Sequence, residues 1–268
     1  MKKRLVDELP DIVYYAFDAR AKTAAEFRGK NADLVEDTLS ELNRFYTAKM
    51  ACVIYGADVS ATPRFDAFAL FVRALEALIS SLHLATHRQA GESLVLMRLS
   101  LESAATAAHI CSCKKALAQY CKFTYKSTSA ISNAKKIVPI IGGLWGNIST
   151  VAVHVNRRHG PFYEPSEDGE GKVGTIEVPL AEKRSAPGQD EIMLTLISLI
   201  SNVDLRLFEE TLLEKSPAYD GWLQMPGTQH LYVCPTDELI RKYYDKFVRM
   251  PDFFQAQAST PSPERTGE

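Results

Sequence analysis

From residue 103 to residue 163 the chain contains no aspartate and no glutamate. It also lacks any uninterrupted apolar run of membrane-spanning length and any CxxC pair, and it has only five cysteines in 268 residues. Each absence removes a class of protein. A spanning helix needs about 18 or more consecutive apolar residues, so no membrane segment is expected. The start, MKKRLVDELP, meets charge before any apolar stretch, so no secretory leader is expected and the chain is read as cytoplasmic. Cys52, Cys111, Cys113, Cys121 and Cys234 are odd in number and scattered, which suits reduced thiols better than a disulfide framework.

Several catalytic templates are missing too. There is no GxxxxGK[ST], no GxGxxG after a strand and no GxSxG, so nucleotide hydrolysis, dinucleotide cofactors and α/β-hydrolase chemistry have no foothold. No cofactor is expected. Metal binding is weighed on His83 and His87, four apart, and on His109, Cys111 and Cys113. On one helix Cys111 points about 200° away from both its neighbours in that set, position 84 is Leu where HExxH needs Glu, and no Glu-x-x-His pair occurs. No metal site is expected.

What is present is charge of one sign in one place. The acid-free stretch carries Lys114, Lys115, Lys122, Lys126, Lys135, Lys136, Arg157 and Arg158. The whole chain has net charge −2, so against these eight cations the rest sums to −10. If the fold collects the cations on one side, they form a surface for RNA or another anionic partner; otherwise the acidic remainder folds over them. Tyr120, Phe123, Tyr125 and Trp145 interleave with the lysines, as a base-stacking surface requires, although core burial is the commoner use of such rings.

Helical periodicity runs through most of the chain. A 3.6-residue stripe (Ile12, Val13, Ala16, Phe17, Ala24) marks a helix from Pro10 to Arg28. Asn31 is placed to cap a second, ending near Gly56; Thr62-Pro63 opens a third reaching Arg88; Gly91-Glu92 opens a fourth reaching Ala108. Shorter helices are expected over 114–138 with a break at Ser127 to Ser129, then a stop at Pro139 and Gly142-Gly143 and a helix from Asn147 to Arg158. Gly142 to Gly146 is also weighed as a phosphate cradle, but no strand precedes it. A long amphipathic helix is expected from Asp190 to Glu214 and a last one from Thr236 to Arg249. With 46% hydrophobic residues this describes an all-α multi-helix bundle over residues 1–254. A loop or small hairpin insertion is expected near 160–188, and 255–268 has no apolar content to bury and should be disordered.

Three helices carry a file of polar residues along an apolar run. On the fourth, Arg98, Glu102, Ala105 and His109 share a face; on the third, Arg73, Glu76, Ser80, His83 and His87; on the helix after the double glycine, Asn147, Thr150, His154 and Arg158. Charged groups inside an apolar helix need partners or a wet cleft, unless the file is simply the solvent face.

The helix LVLMRLSLESAATAAHI followed by WGNISTVAVHVNR resembles bacterial all-helical proteins of unknown function related to the HEPN and AbiU2-like groups. In those, a helix with Arg and Glu four apart precedes one that reads aromatic, Leu/Ile-Ser and then His. The match falls on Arg98, Glu102, Trp145, Ile148, Ser149 and His154. The resemblance implies a helical bundle, and through the ribonucleases of the wider HEPN group it implies RNA as partner and a homodimer with facing motifs. Arg98, Glu102, His154 and Arg158 are the candidate catalytic set, with His154 as general acid/base and Arg158 or Arg98 stabilising a phosphate in metal-independent RNA cleavage. The ribonuclease members place Arg four to six residues before His, whereas here His154 precedes Arg158. RNA binding by Lys114, Lys115, Lys122, Lys126, Lys135 and Lys136, a non-catalytic scaffold held by a polar network, and cleavage by His154 are the three readings.

Overall fold

A computed structural model describes residues 20–54, 62–152, 188–213 and 235–250. Within them the chain is all-α, a multi-helix bundle. The elements are α1 (Arg20–Lys30), α2 (Ala32–Ile54), α3 (Arg64–Thr86), α4 (Ala90–Ser112), α5 (Lys114–Cys121), α6 (Ser127–Ala134), α7 (Ile141–Ala152), α8 (Gln189–Phe208), a π-helical turn (Glu209–Leu213) and α9 (Thr236–Arg249).

α8 is the axis of the bundle. Of its 20 residues 17 are buried, and α2, α3, α4 and α9 pack around it. The amphipathic pattern expected for this helix is therefore corrected: it is covered on all sides, and its polar residues Ser198, Ser201, Asn202 and Asp204 bond inside the protein. Phe208 at its end meets Phe45 of α2 and Phe71 of α3 edge-to-face, with ring centroids 5.8 and 5.1 Å apart. Each ring is fully buried and contributes about 2–3 kcal/mol by burial alone.

α3 and α4 form the most extensive helix pair. Alanines and serines let the two approach closely, and Ser81 and Ser93 join them through hydroxyls 2.7 Å apart. By length and composition each could cross a membrane, and here one face of each packs into the bundle. The short helices α5, α6 and α7 lie against α4.

Local differences from the sequence expectations have physical causes. Gly142-Gly143 does not stop a helix: α7 starts at Ile141 and runs through Gly142, Gly143 and Gly146. Ile141, Leu144 and Ile148 form its buried stripe, and their burial outweighs the low helix propensity of glycine, about 1 kcal/mol per residue. The break expected at Ser127 to Ser129 falls at 122–126, and the serines open α6 instead. Asn31 does not accept a capping bond; its Nδ2 donates to Phe27 O at 3.0 Å and to Asp190 Oδ2 at 3.3 Å, tying the α1–α2 junction to the start of α8. The N-terminal half of the first expected helix, the 160–188 insertion up to residue 187 and the 255–268 tail lie outside the described residues.

Candidate functional site

The polar file of α4 is covered by residues from α7 and from the loop before α6. Glu102 Oε1 accepts from Arg98 Nε at 2.9 Å and from the indole Nε1 of Trp145 at 2.8 Å. The Arg98 guanidinium lies over the Trp145 ring, 5.3 Å from its centroid. Ser149 donates to Trp145 O, one turn back on α7. The Arg98 and Glu102 side chains keep 23% and 22% of their exposure, so the cluster is a half-buried clamp between α4 and α7, not a solvent face and not a core network. One carboxylate oxygen serving two donors, with the guanidinium paired and stacked, fixes geometry more than it frees a group for proton transfer.

Two turns along the same file, His109 Nδ1 lies 2.7 Å from the Tyr125 hydroxyl. Burial, and then the nearby Lys136 ammonium, hold His109 below the usual histidine range. Burial pushes the Tyr125 phenol up to about 12. Both shifts point one way: the pair is neutral at pH 7. Ala105, expected on this face, is fully buried. On α3 the other file behaves as a solvent face, with Arg73, Glu76, Ser80 and His83 exposed.

Lys114, Lys115, Lys122, Lys126, Lys135 and Lys136 are all exposed. They sit on α5, at the two ends of the loop before α6 and just after α6, the elements that cover the C-terminal half of α4. Among the described residues none of the six is in an ion pair. The Lys135 chain lies across Gly142, where a Cβ would collide with its Cε. Burial, and after it the carboxylate of Asp66 on α3, raises the Tyr120 phenol of α5.

The interleaved aromatics divide. Tyr120, Tyr125 and Trp145 pack against the core, whereas Phe123 is 97% exposed. Phe123 also has φ +56°, at the position after the α5 C-cap where Phe123 N–H donates to Tyr120 O and Thr124 N–H to Gln119 O, both 3.0 Å. Glycine is the usual residue there, and a bulky one costs about 1 kcal/mol. A similar turn ends α3 with Arg88 at φ +58°, but Arg88 is half-buried.

Two buried groups escaped the sequence reading. Glu41 accepts from Arg44, Asn202 and Tyr243 at 3.3, 3.0 and 2.9 Å, and Arg44 also reaches Asn202 and Thr236, so one network ties α2, α8 and α9. The only sequence signal was an Arg and a Glu inside an apolar stretch of α2. The second group is Asp204, 0% exposed, where burial pushes the carboxyl up to about 8. Ser100 Oγ lies 2.8 Å from Ala74 O and 2.5 Å from Asp204 Oδ2. A hydroxyl has one proton and a carbonyl only accepts, so both short distances are used when Ser100 donates to Ala74 and accepts from a protonated Asp204.

His154 and Arg158 lie outside the described residues; of their file, Asn147 and Thr150 are exposed. The structure thus pairs Arg98 with Glu102, sets Trp145 on that pair, and separately joins His109 to Tyr125. Among the described residues no three His, Cys, Asp or Glu gather where they could hold a metal ion. A concavity between α8 and α9, lined by Glu191, Lys242, Asp245, Lys246, Arg249 and Met250, mixes both charge signs and has Lys246 paired with Glu191 at 3.1 Å. Comparison of the chain with protein-family models, with curated proteins and with solved structures finds no match in any of the three.

Proposed function

We propose that this protein binds RNA through the lysines borne by α5, α6 and their connections, and that it does so without cleaving it. The observation that carries the reading is the state of the six lysines. All are exposed, none is neutralised by a described carboxylate, and all stand on elements that pack against one part of α4. Exposed lysines with no ion-pair partner among the described residues are what a phosphate backbone can engage, with counterion release as the driving term. Retention without turnover is supported by the clamp: Glu102 is occupied by two donors and Arg98 is paired and stacked.

The test is a titration of fluorescein-labelled single-stranded RNA at a series of salt concentrations, with the RNA analysed for length afterwards. Affinity should fall steeply with salt, and a variant carrying Lys114→Gln, Lys115→Gln, Lys135→Gln and Lys136→Gln should flatten the log–log slope by up to about 0.7 for each phosphate that is no longer neutralised. The RNA should be recovered intact. A lysine variant that binds as the wild type does, or no binding by either at low salt, would end the proposal.

A further inference from the structure

Phe123 presents nearly its whole ring to solvent from a backbone conformation that side chains avoid. Neither feature serves the fold. The ring buries nothing, and the turn that ends α5 would close with less strain around glycine. Arg88, in the equivalent turn after α3, is half-buried and makes contacts of its own, so the exposure of Phe123 is not imposed by the turn. Its surroundings are specific. Lys122 precedes it, Lys126 follows three residues on, and the next aromatic, Tyr125, is turned inward onto His109.

We propose that Phe123 is the stacking platform for an unpaired base of a single-stranded RNA whose phosphates are held by Lys122, Lys126 and the neighbouring lysines. The inference rests on the RNA-binding reading and adds to it the strandedness of the ligand and the residue that selects it. One bare ring matches one base: aromatic side chains stack on any base because every base has a π face. In a duplex the bases are already stacked on each other and none is offered to the ring. A bilayer is the poorer match, since interfacial binding scales with apolar area and the residues flanking Phe123, from Gln119 to Lys126, expose no second apolar side chain of its size.

The experiment compares the full-length wild type with Phe123→Gly, Phe123→Trp and the four-lysine variant. Each is titrated with a labelled 12-nucleotide oligouridylate, with a duplex RNA of the same length, and with phosphatidylcholine–phosphatidylserine vesicles. Phe123→Gly should weaken single-strand binding about tenfold while leaving its salt slope and duplex binding unchanged. Because glycine suits the turn, that variant should melt no lower than the wild type, which separates loss of stacking from loss of folding. Phe123→Trp should retain affinity and show fluorescence quenching on binding that the wild type lacks. Single-strand binding by Phe123→Gly equal to the wild type, with the lysine variant weakened, overturns the stacking role and leaves the RNA-binding reading standing. Absence of RNA binding by every protein overturns both. Equal losses on duplex and single strand, or wild-type binding to vesicles but not to RNA, also overturn the stacking role.

Discussion

Asp204 shows what one side chain can impose on the behaviour of the whole domain. Its carboxyl is buried against Ser100 with Oδ1 unpartnered among the described residues, an arrangement that a neutral acid tolerates and a carboxylate does not. Burial is the leading cause of the upward shift, and a Ser100 hydroxyl that donated to the ionised form would offset part of it; among the described residues no charged group contributes. The unfolded pKa is near 3.8 and the folded one about 8, so between these values the folded state binds the extra proton. Stability from this group is therefore fully present below pH 4 and is lost as pH rises towards 8, by several kcal/mol in all. Asp204→Asn supplies a permanent amide donor to Ser100 Oγ. Denaturation of wild type and variant at pH 5 and pH 8 should show the wild type losing stability relative to Asp204→Asn as pH rises. A constant difference across that range would show that Asp204 is ionised when folded.

Most helices could be read from the sequence because their periodicity is imposed by burial, and burial is what the residue pattern records. α3, α4 and α9 fall where apolar spacing places them, but Thr62 and Thr236 do not cap: Pro63 and Pro235 hold the N-cap positions, and the Thr236 hydroxyl donates to Glu209. The pattern misled where a tertiary contact overrides it: the glycines of α7 are held helical by Ile141, Leu144 and Ile148, and α8 was legible as a helix but not as the buried axis. Half of the candidate site was equally legible. Arg98 and Glu102, four apart, pair as their spacing requires, but that Trp145 completes the clamp depends on how α7 crosses α4, which no local pattern encodes. The clamp has a measurable worth. With about a fifth of each side chain exposed, Glu102→Ala should cost about 2 kcal/mol, between a surface pair and a buried one. Trp145→Phe, which removes only the indole donor, should cost about 1 kcal/mol, and the double variant less than the sum. A loss below about 0.5 kcal/mol for Glu102→Ala in chemical denaturation would mean that the clamp does not hold the helices.

At the scale of the molecule the leading feature is the segregation of charge along the sequence. A total of −2 conceals an acid-free block, and the fold leaves its six lysines exposed on the elements that pack against one end of α4. Sequence alone could count these charges; the structure adds that among the described residues none of the six lysines is in an ion pair. Lys22, Lys49, Lys242 and Lys246 sit on α1, α2 and α9 and provide an internal reference. Amine-labelling footprinting of the wild type, with and without single-stranded RNA at low salt, reads out whether the segregated lysines are where RNA sits. RNA should protect Lys114, Lys115, Lys122, Lys126, Lys135 and Lys136 while labelling of the four reference lysines is unchanged. Protection centred on Lys242 and Lys246, or labelling that RNA leaves unaltered throughout, would contradict an RNA-binding side built by α5 and α6.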